Sequence, residues 1–125
     1  MKRLTREQII MIQEQLIGRF GGSYGIRDEK LLDSALENPF QGFGDYEFYP
    51  TVIEKAVRLC FGLVKNHPFL DGNKRIGTMV LLITLDLNSL ALNSTSAELT
   101  EIILSLASGN CSYEKLLEWV RNRIA

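Results

Sequence analysis

Long hydrophobic runs are missing from this sequence. The longest is the five residues Met79 to Ile83, far short of the roughly 20 that span a bilayer, so no membrane association is expected. The opening residues MKRLTREQ are basic but lead into no apolar stretch, which argues against a secretory signal. Cysteine is scarce. Cys60 and Cys111 fall in different apolar-periodic segments, as expected for buried thiols in a reducing, cytoplasmic setting. No Cys/His cluster has metal-ligand spacing, which excludes a structural zinc site. Charge of one sign is absent too: 14 basic and 15 acidic residues give a net charge of −1. A broad basic face for nucleic acid is therefore excluded, whereas a local anion site is not.

What remains is ordinary globular composition, 46% hydrophobic and 23% charged in 125 residues. That length suits a single domain, residues 1–125, with a core that needs no staples. The periodicity is helical nearly throughout. Thr5 to Gln8 reads as a capping box, with Leu4 and Ile9 as a hydrophobic staple. The first helix then runs through Ile9, Ile12, Leu16, Ile17 and Phe20 to Gly21-Gly22. Asp28 is placed to cap a short second helix carrying Leu31, Leu32, Ala35 and Leu36. Thr51 to Glu54 is another capping box. It opens a third helix with Ile53, Ala56, Val57, Cys60 and Val64 on its buried face, which Pro68 should end near Asn66 or His67. A fourth helix from about Asn73 is apolar on nearly every side and is expected to be central and buried. A fifth follows Thr95 or Ser96, and a sixth follows Ser112. The fold class is all-α, a compact domain of about six helices. Between Pro39 and Pro50, FQGFGDYEFY holds five of the eleven aromatics and has no helical period. It reads as an extended flap or loose hairpin before the third helix.

One window concentrates unusual residues. KNHPFLDGNKRIG, Lys65 to Gly77, holds the only histidine and leads into the fourth helix. The first N–H groups of a helix lack intrahelical partners and, with the helix dipole, form an anion site. Gly72 can take positive φ and let an anion approach. Phe69 can anchor the turn in the core. Lys74 and Arg75 are cations at a helix N-terminus, where they oppose the dipole. Two adjacent bases there make sense if an anion sits between them. Asp71 is a hard oxygen ligand suited to Mg²⁺ beside a nucleotide, and His67 is a titratable base. Structural roles are also open to these residues: Asp71 or Asn73 as a helix cap, Gly72 as a turn residue. Base, metal ligand and anion cradle within nine residues are nevertheless the parts of phosphoryl or nucleotidyl transfer.

His67 to Arg75, HPFLDGNKR, resembles the signature of the Fic/Doc family, HPFx(D/E)GN(G/K)R, at every fixed position. The segment GGSYGIRDEKLLDSALENPF is similar to the Doc branch as well, and the likeness extends over nearly the whole chain. The resemblance implies a Fic-type helical core with the signature loop between two helices. It implies His67 as general base toward a target hydroxyl and Asp71 as the Mg²⁺ ligand. Catalytic parts fall also to Lys74 and Arg75, and Phe69, Gly72, Asn73, Lys74 and Arg75 are implied around the nucleotide, ATP. The flap at residues 39–50 would dock the target in extended form. Most Fic proteins have glycine at the position of Lys74 and transfer AMP. Doc-type toxins have lysine and transfer the γ-phosphoryl group of ATP, with elongation factor Tu as the family's known target. The resemblance thus implies a toxin kinase that arrests translation, with AMP transfer or a non-catalytic nucleotide- or phosphate-binding module as alternatives. The family's self-inhibitory motif, (S/T)xxxE(G/N), is incomplete: Ser94 and Glu98 have the spacing, but Leu99 follows. Restraint by a separate antitoxin is then implied.

Overall fold

A computed structural model describes residues 1–125. Six helices account for most of the chain: α1 (Arg6–Phe20), α2 (Glu29–Glu37), α3 (Val52–Asn66), α4 (Asn73–Leu87), α5 (Ser96–Ala107) and α6 (Tyr113–Arg121). The fold is all-α, with one small hairpin. None of these helices is long and apolar enough to cross a membrane.

Side-chain caps set most of the helix starts. Thr5, Thr51 and Thr95 each accept from the amide three residues on, and Gln8, Glu54 and Glu98 return the bond to the cap residue's own amide. Asp28 and Ser112 cap α2 and α6. The choice between Thr95 and Ser96 falls on Thr95. Leu4 and Ile9 pack in one cluster, as the staple requires.

Two clusters of buried side chains share α3 and α4. The larger joins them to α5 and α6 through Val57, Cys60, Leu81, Leu85, Ile103, Leu106 and Leu116. The smaller joins them to α1 and α2 through Ile9, Leu32, Leu59, Leu63, Phe69 and Ile76. α3 packs most extensively on α4, and at their crossing a Cβ on Gly77 would lie 2.6 Å from Val64 Cγ2. This close approach ties the end of α3 to the start of α4.

One expectation from periodicity is corrected. α4 is central but not covered on every side, because Met79 and Leu87 are exposed and Met79 and Leu82 face a cleft. Phe20 is the last residue of α1, as expected, and lies 52% exposed at the rim of the same cleft. α1 buries an amide, Gln13.

After a short 3-10 turn at Asn38–Phe40, the flap forms a two-stranded antiparallel hairpin, β1 (Gly42–Phe43) and β2 (Tyr46–Glu47), with Gly42 opposite Glu47 and Phe43 opposite Tyr46. Its aromatics point outward, Phe43 being 82% exposed. It is held from below by α3. The buried Lys55 ammonium donates to Glu47 Oε1 at 2.8 Å and to the Tyr49 carbonyl, and Arg58 Nε donates to the Tyr49 hydroxyl at 3.1 Å.

Candidate active site

The signature loop joins α3 to α4. α3 stops at Asn66 and His67 takes a left-handed conformation, φ 52° and ψ 52°, a common way to leave a helix. The last carbonyls of α3 are not left open. Arg27 Nε donates to the His67 carbonyl at 2.7 Å and its Nη2 to the Asn66 carbonyl at 2.9 Å, a cation at the negative end of the helix dipole. Pro68 turns the chain. Phe69 is 0% exposed and sits in the smaller core. Its expected place among the nucleotide-contacting residues is therefore corrected: the ring has no free surface and anchors the loop from behind.

Asn73 is also turned inward. Its Oδ1 accepts from the Phe69 amide and its Nδ2 donates to the Phe69 carbonyl, both at 3.0 Å. Its side chain is committed to the loop, so only its backbone amide faces the site. Gly72 occupies the N-cap position of α4 with φ 83°, and no side chain caps this helix. Neither Asp71 nor Asn73 serves as a cap. The first helical amide with a partner is that of Ile76, which donates to the Gly72 carbonyl at 2.8 Å. The amides of Asn73, Lys74 and Arg75 make no hydrogen bond. α4 is the one helix of the six whose start is unprotected, and three N–H groups converge there.

A strap of residues 21–28 runs alongside the loop. Leu70 N donates to the Gly25 carbonyl at 3.0 Å, and the Arg27 and Asp28 amides donate to the Pro68 carbonyl at 2.7 and 3.1 Å. Ser23 N donates to Asp71 Oδ2 at 2.7 Å. Periodicity alone passes over these contacts. The signal that marks them is the glycine run: Gly21, Gly22 and Gly25 all have φ between 85° and 116°, where an L side chain is strained.

The loop and the start of α4 form one end of a cleft of about 760 Å³ between α1, α4 and α5. His67 and the residues Asp71 to Arg75 line that end, and Leu16, Phe20, Met79, Leu82 and Leu99 line the apolar remainder. The structure thus brings together every predicted site residue except Phe69. Phe20 belongs with them: the Arg75 guanidinium lies 4.4 Å from its ring centroid, a distance at which cation and ring attract. Neither Lys74 nor Arg75 has a carboxylate partner, since all five ion pairs lie elsewhere. Two unpaired cations and three open amides face the same space, which suits a polyanion.

The donor set for a divalent cation is small. No three His, Cys, Asp or Glu side chains group together, so an all-protein cage is excluded. Asp71 has one carboxylate oxygen held by Ser23 and the other without a partner. A single oriented carboxylate beside an anion cradle fits Mg²⁺, which is commonly held by one or two carboxylates plus phosphate oxygens and water.

A family model described as Fic/DOC family matches residues 3–85, a span that includes the strap, the flap, the loop and nearly all of α4. A protein named Toxin Doc from Mycolicibacterium smegmatis (strain ATCC 700084 / mc(2)155) is 36% identical over 73 residues, which are 58% of this chain and 56% of that protein. The matched stretch therefore spans little more than half of that relative's length. A protein named Protein kinase doc from Escherichia phage P1 is 25% identical over 121 residues, 97% of this chain and 94% of that protein.

Proposed function

Because this chain belongs to the Fic/Doc family, we propose that it is a Doc-like toxin, a kinase that moves the γ-phosphoryl group of ATP to a hydroxyl of a translation factor resembling elongation factor Tu. The observation that carries this reading is the unprotected start of α4, where three free amides, Lys74 and Arg75 meet His67 and Asp71 in one cleft. The names of the two relatives support the toxin and kinase parts of the reading.

The chain's own residues divide the work. The amides of Asn73, Lys74 and Arg75, at the positive end of the α4 dipole, bind phosphate oxygens. Arg75 leaves Phe20 to clamp a phosphate through two parallel N–H donors. Lys74 adds a mobile point charge. Asp71 would hold Mg²⁺, which when bound neutralises charge on the phosphate oxygens. His67, fixed by the turn at the end of α3, takes the proton from the target hydroxyl as that oxygen attacks the γ phosphorus, and the bond from that phosphorus to the β–γ bridging oxygen breaks to release ADP. The hairpin β1–β2 offers short unpaired edges and exposed aromatics to an extended target segment.

Lys74 favours transfer of the terminal phosphoryl group over transfer of AMP. A long cation inside the cradle fills space that one phosphate would occupy and attracts another. The nucleotide then binds in a different register and a different phosphorus faces His67, and in-line approach at roughly 3–3.5 Å decides which bond breaks. A separate antitoxin is the partner this reading calls for. Glu98 is spent on the Thr95 capping box and on Arg123, which leaves it unsuited to an internal restraint.

ATP labelled at the γ phosphorus should mark the target, and ATP labelled at the α phosphorus should not. His67→Ala should lower transfer by about 10²–10⁴-fold, the usual share of a positioned base, with nucleotide affinity kept within a few-fold. Label appearing only from the α position would replace the kinase by an AMP transferase. Full transfer by His67→Ala would remove the histidine from the chemistry.

A further inference from the structure

We propose that Gln13, together with the strap segment 22–25 that it holds, is a positioning device for the Asp71 carboxylate and thereby sets the affinity of this site for a divalent cation. The inference rests on the reading of Asp71 as the Mg²⁺ ligand given above. Gln13 lies on α1, two turns before the helix ends, and is 1% exposed. A fully buried amide on an otherwise apolar helix face costs stability unless its polar atoms are satisfied. Here both ends are used.

Gln13 Nε2 donates to the Ser23 carbonyl at 3.2 Å and to the Asp71 carbonyl at 3.4 Å, and its Oε1 accepts from the Gly25 amide at 3.4 Å. The orientation of the amide follows from its partners: two carbonyls can only accept and one amide can only donate. The Ser23 amide in turn donates to Asp71 Oδ2 at 2.7 Å. The contacts close a ring from Gln13 to Ser23, from Ser23 to the Asp71 carboxylate, and from the Asp71 carbonyl back to Gln13. One side chain thus fixes both the backbone of Asp71 and the residue that orients its carboxylate.

The far wall is equally close. A Cβ on Gly22 would lie 3.1 Å from Asp71 Cβ, 3.3 Å from Asp71 Cγ and 3.0 Å from Ile17 Cδ1, and Gly22 has φ 116°. Asp71 is confined between this glycine and the Gln13 ring, with one oxygen left over. Partners of this kind behind a metal-binding carboxylate typically contribute 10–100-fold in metal affinity or activity.

The test is binding rather than turnover. ATP is titrated calorimetrically into the intact protein with excess Mg²⁺ and again with EDTA, and the ratio of the two affinities is the readout. Asp71→Asn should abolish the Mg²⁺-dependent gain. Gln13→Leu, which removes the amide at similar volume, should reduce the gain about 10-fold, leave the EDTA affinity unchanged, and be rescued by raising Mg²⁺. A Gln13→Leu protein with lowered melting temperature and a full Mg²⁺ gain would overturn the proposal, because support of the fold alone would then account for the residue. Should Gln13→Leu not fold, Gly22→Ala displaces the carboxylate from the other side. A reduced gain there supports the device, and an unchanged gain overturns it. A full gain in Asp71→Asn would instead sink the metal role of Asp71, a separate failure.

Discussion

The side chain of Asn73 makes two hydrogen bonds, both to the backbone of Phe69. It is 3% exposed, and Phe69 is fully buried. Asn73→Ala would leave the Phe69 amide and carbonyl without partners in a place water does not reach. Each such group costs about 1–3 kcal/mol, so a loss of about 2–6 kcal/mol is expected for the two, read as a lowered urea midpoint. Asn73→Asp keeps an acceptor for the Phe69 amide but loses the donor to its carbonyl, and should fall between the two. A merely surface-lining asparagine would show a change below about 0.5 kcal/mol. The same residue explains part of what sequence reading could reach. The family resemblance placed it at the anion site. Its inward direction depends on the path of the loop between two helices, which no local pattern encodes. The helical period does not tell how Gln13 and Phe20 are used, for the same reason: a polar residue in an apolar stripe is buried where a loop needs its amide, and an aromatic at the stripe's end is left out where a cleft begins.

At the level of elements, helix starts were the most legible feature because capping is local chemistry. The capping boxes at Thr5 and Thr51 appear as read, Thr95 forms a third where either Thr95 or Ser96 was open as the cap, and Pro68 ends α3 at Asn66. The start of α4 stands out against them, with a left-handed glycine where the others have a hydroxyl or carboxylate. What the pattern did not convey is how α3 and α4 approach. Their crossing uses Gly77, with Val64 Cγ2 2.6 Å and the Cys60 carbonyl oxygen 3.3 Å from where a Cβ would stand. Gly77→Ala would normally favour a helix. Here it must push the two helices apart, and overpacking of this kind costs about 1–3 kcal/mol. Because His67 leaves α3 and the open amides begin α4, the same displacement separates the proposed base from the proposed phosphate cradle. The expected result is a lower melting temperature together with transfer reduced more than nucleotide binding. A stabilised Gly77→Ala protein would show that the helices can slide apart freely at this point.

Across the whole molecule, the two buried clusters meet only through α3 and α4, so the loop between those helices depends on both. Alkaline pH acts on the larger cluster. Complete burial pushes the Cys60 thiol up to about 12 from its ordinary 9.0. Tyr113 is also raised, first by burial and then by the charge of Glu54. An unfolded chain releases the Cys60 proton near pH 9, whereas the folded chain keeps it to about pH 12. Within that window the unfolded state binds fewer protons, so stability is fully present below pH 9 and declines as pH rises, by about 1.4 kcal/mol per unit for one such group. Urea unfolding at pH 7, 9, 10 and 11 should therefore give a flat stretch followed by a steepening fall. Cys60→Ala should begin less stable, because it leaves a small cavity, yet lose less between pH 9 and 11 than the parent. Parallel curves for the two proteins would mean that the thiol reaches solvent. The larger core would then be looser than its packing indicates, and the rigid junction that seats His67 over the start of α4 would lose its support.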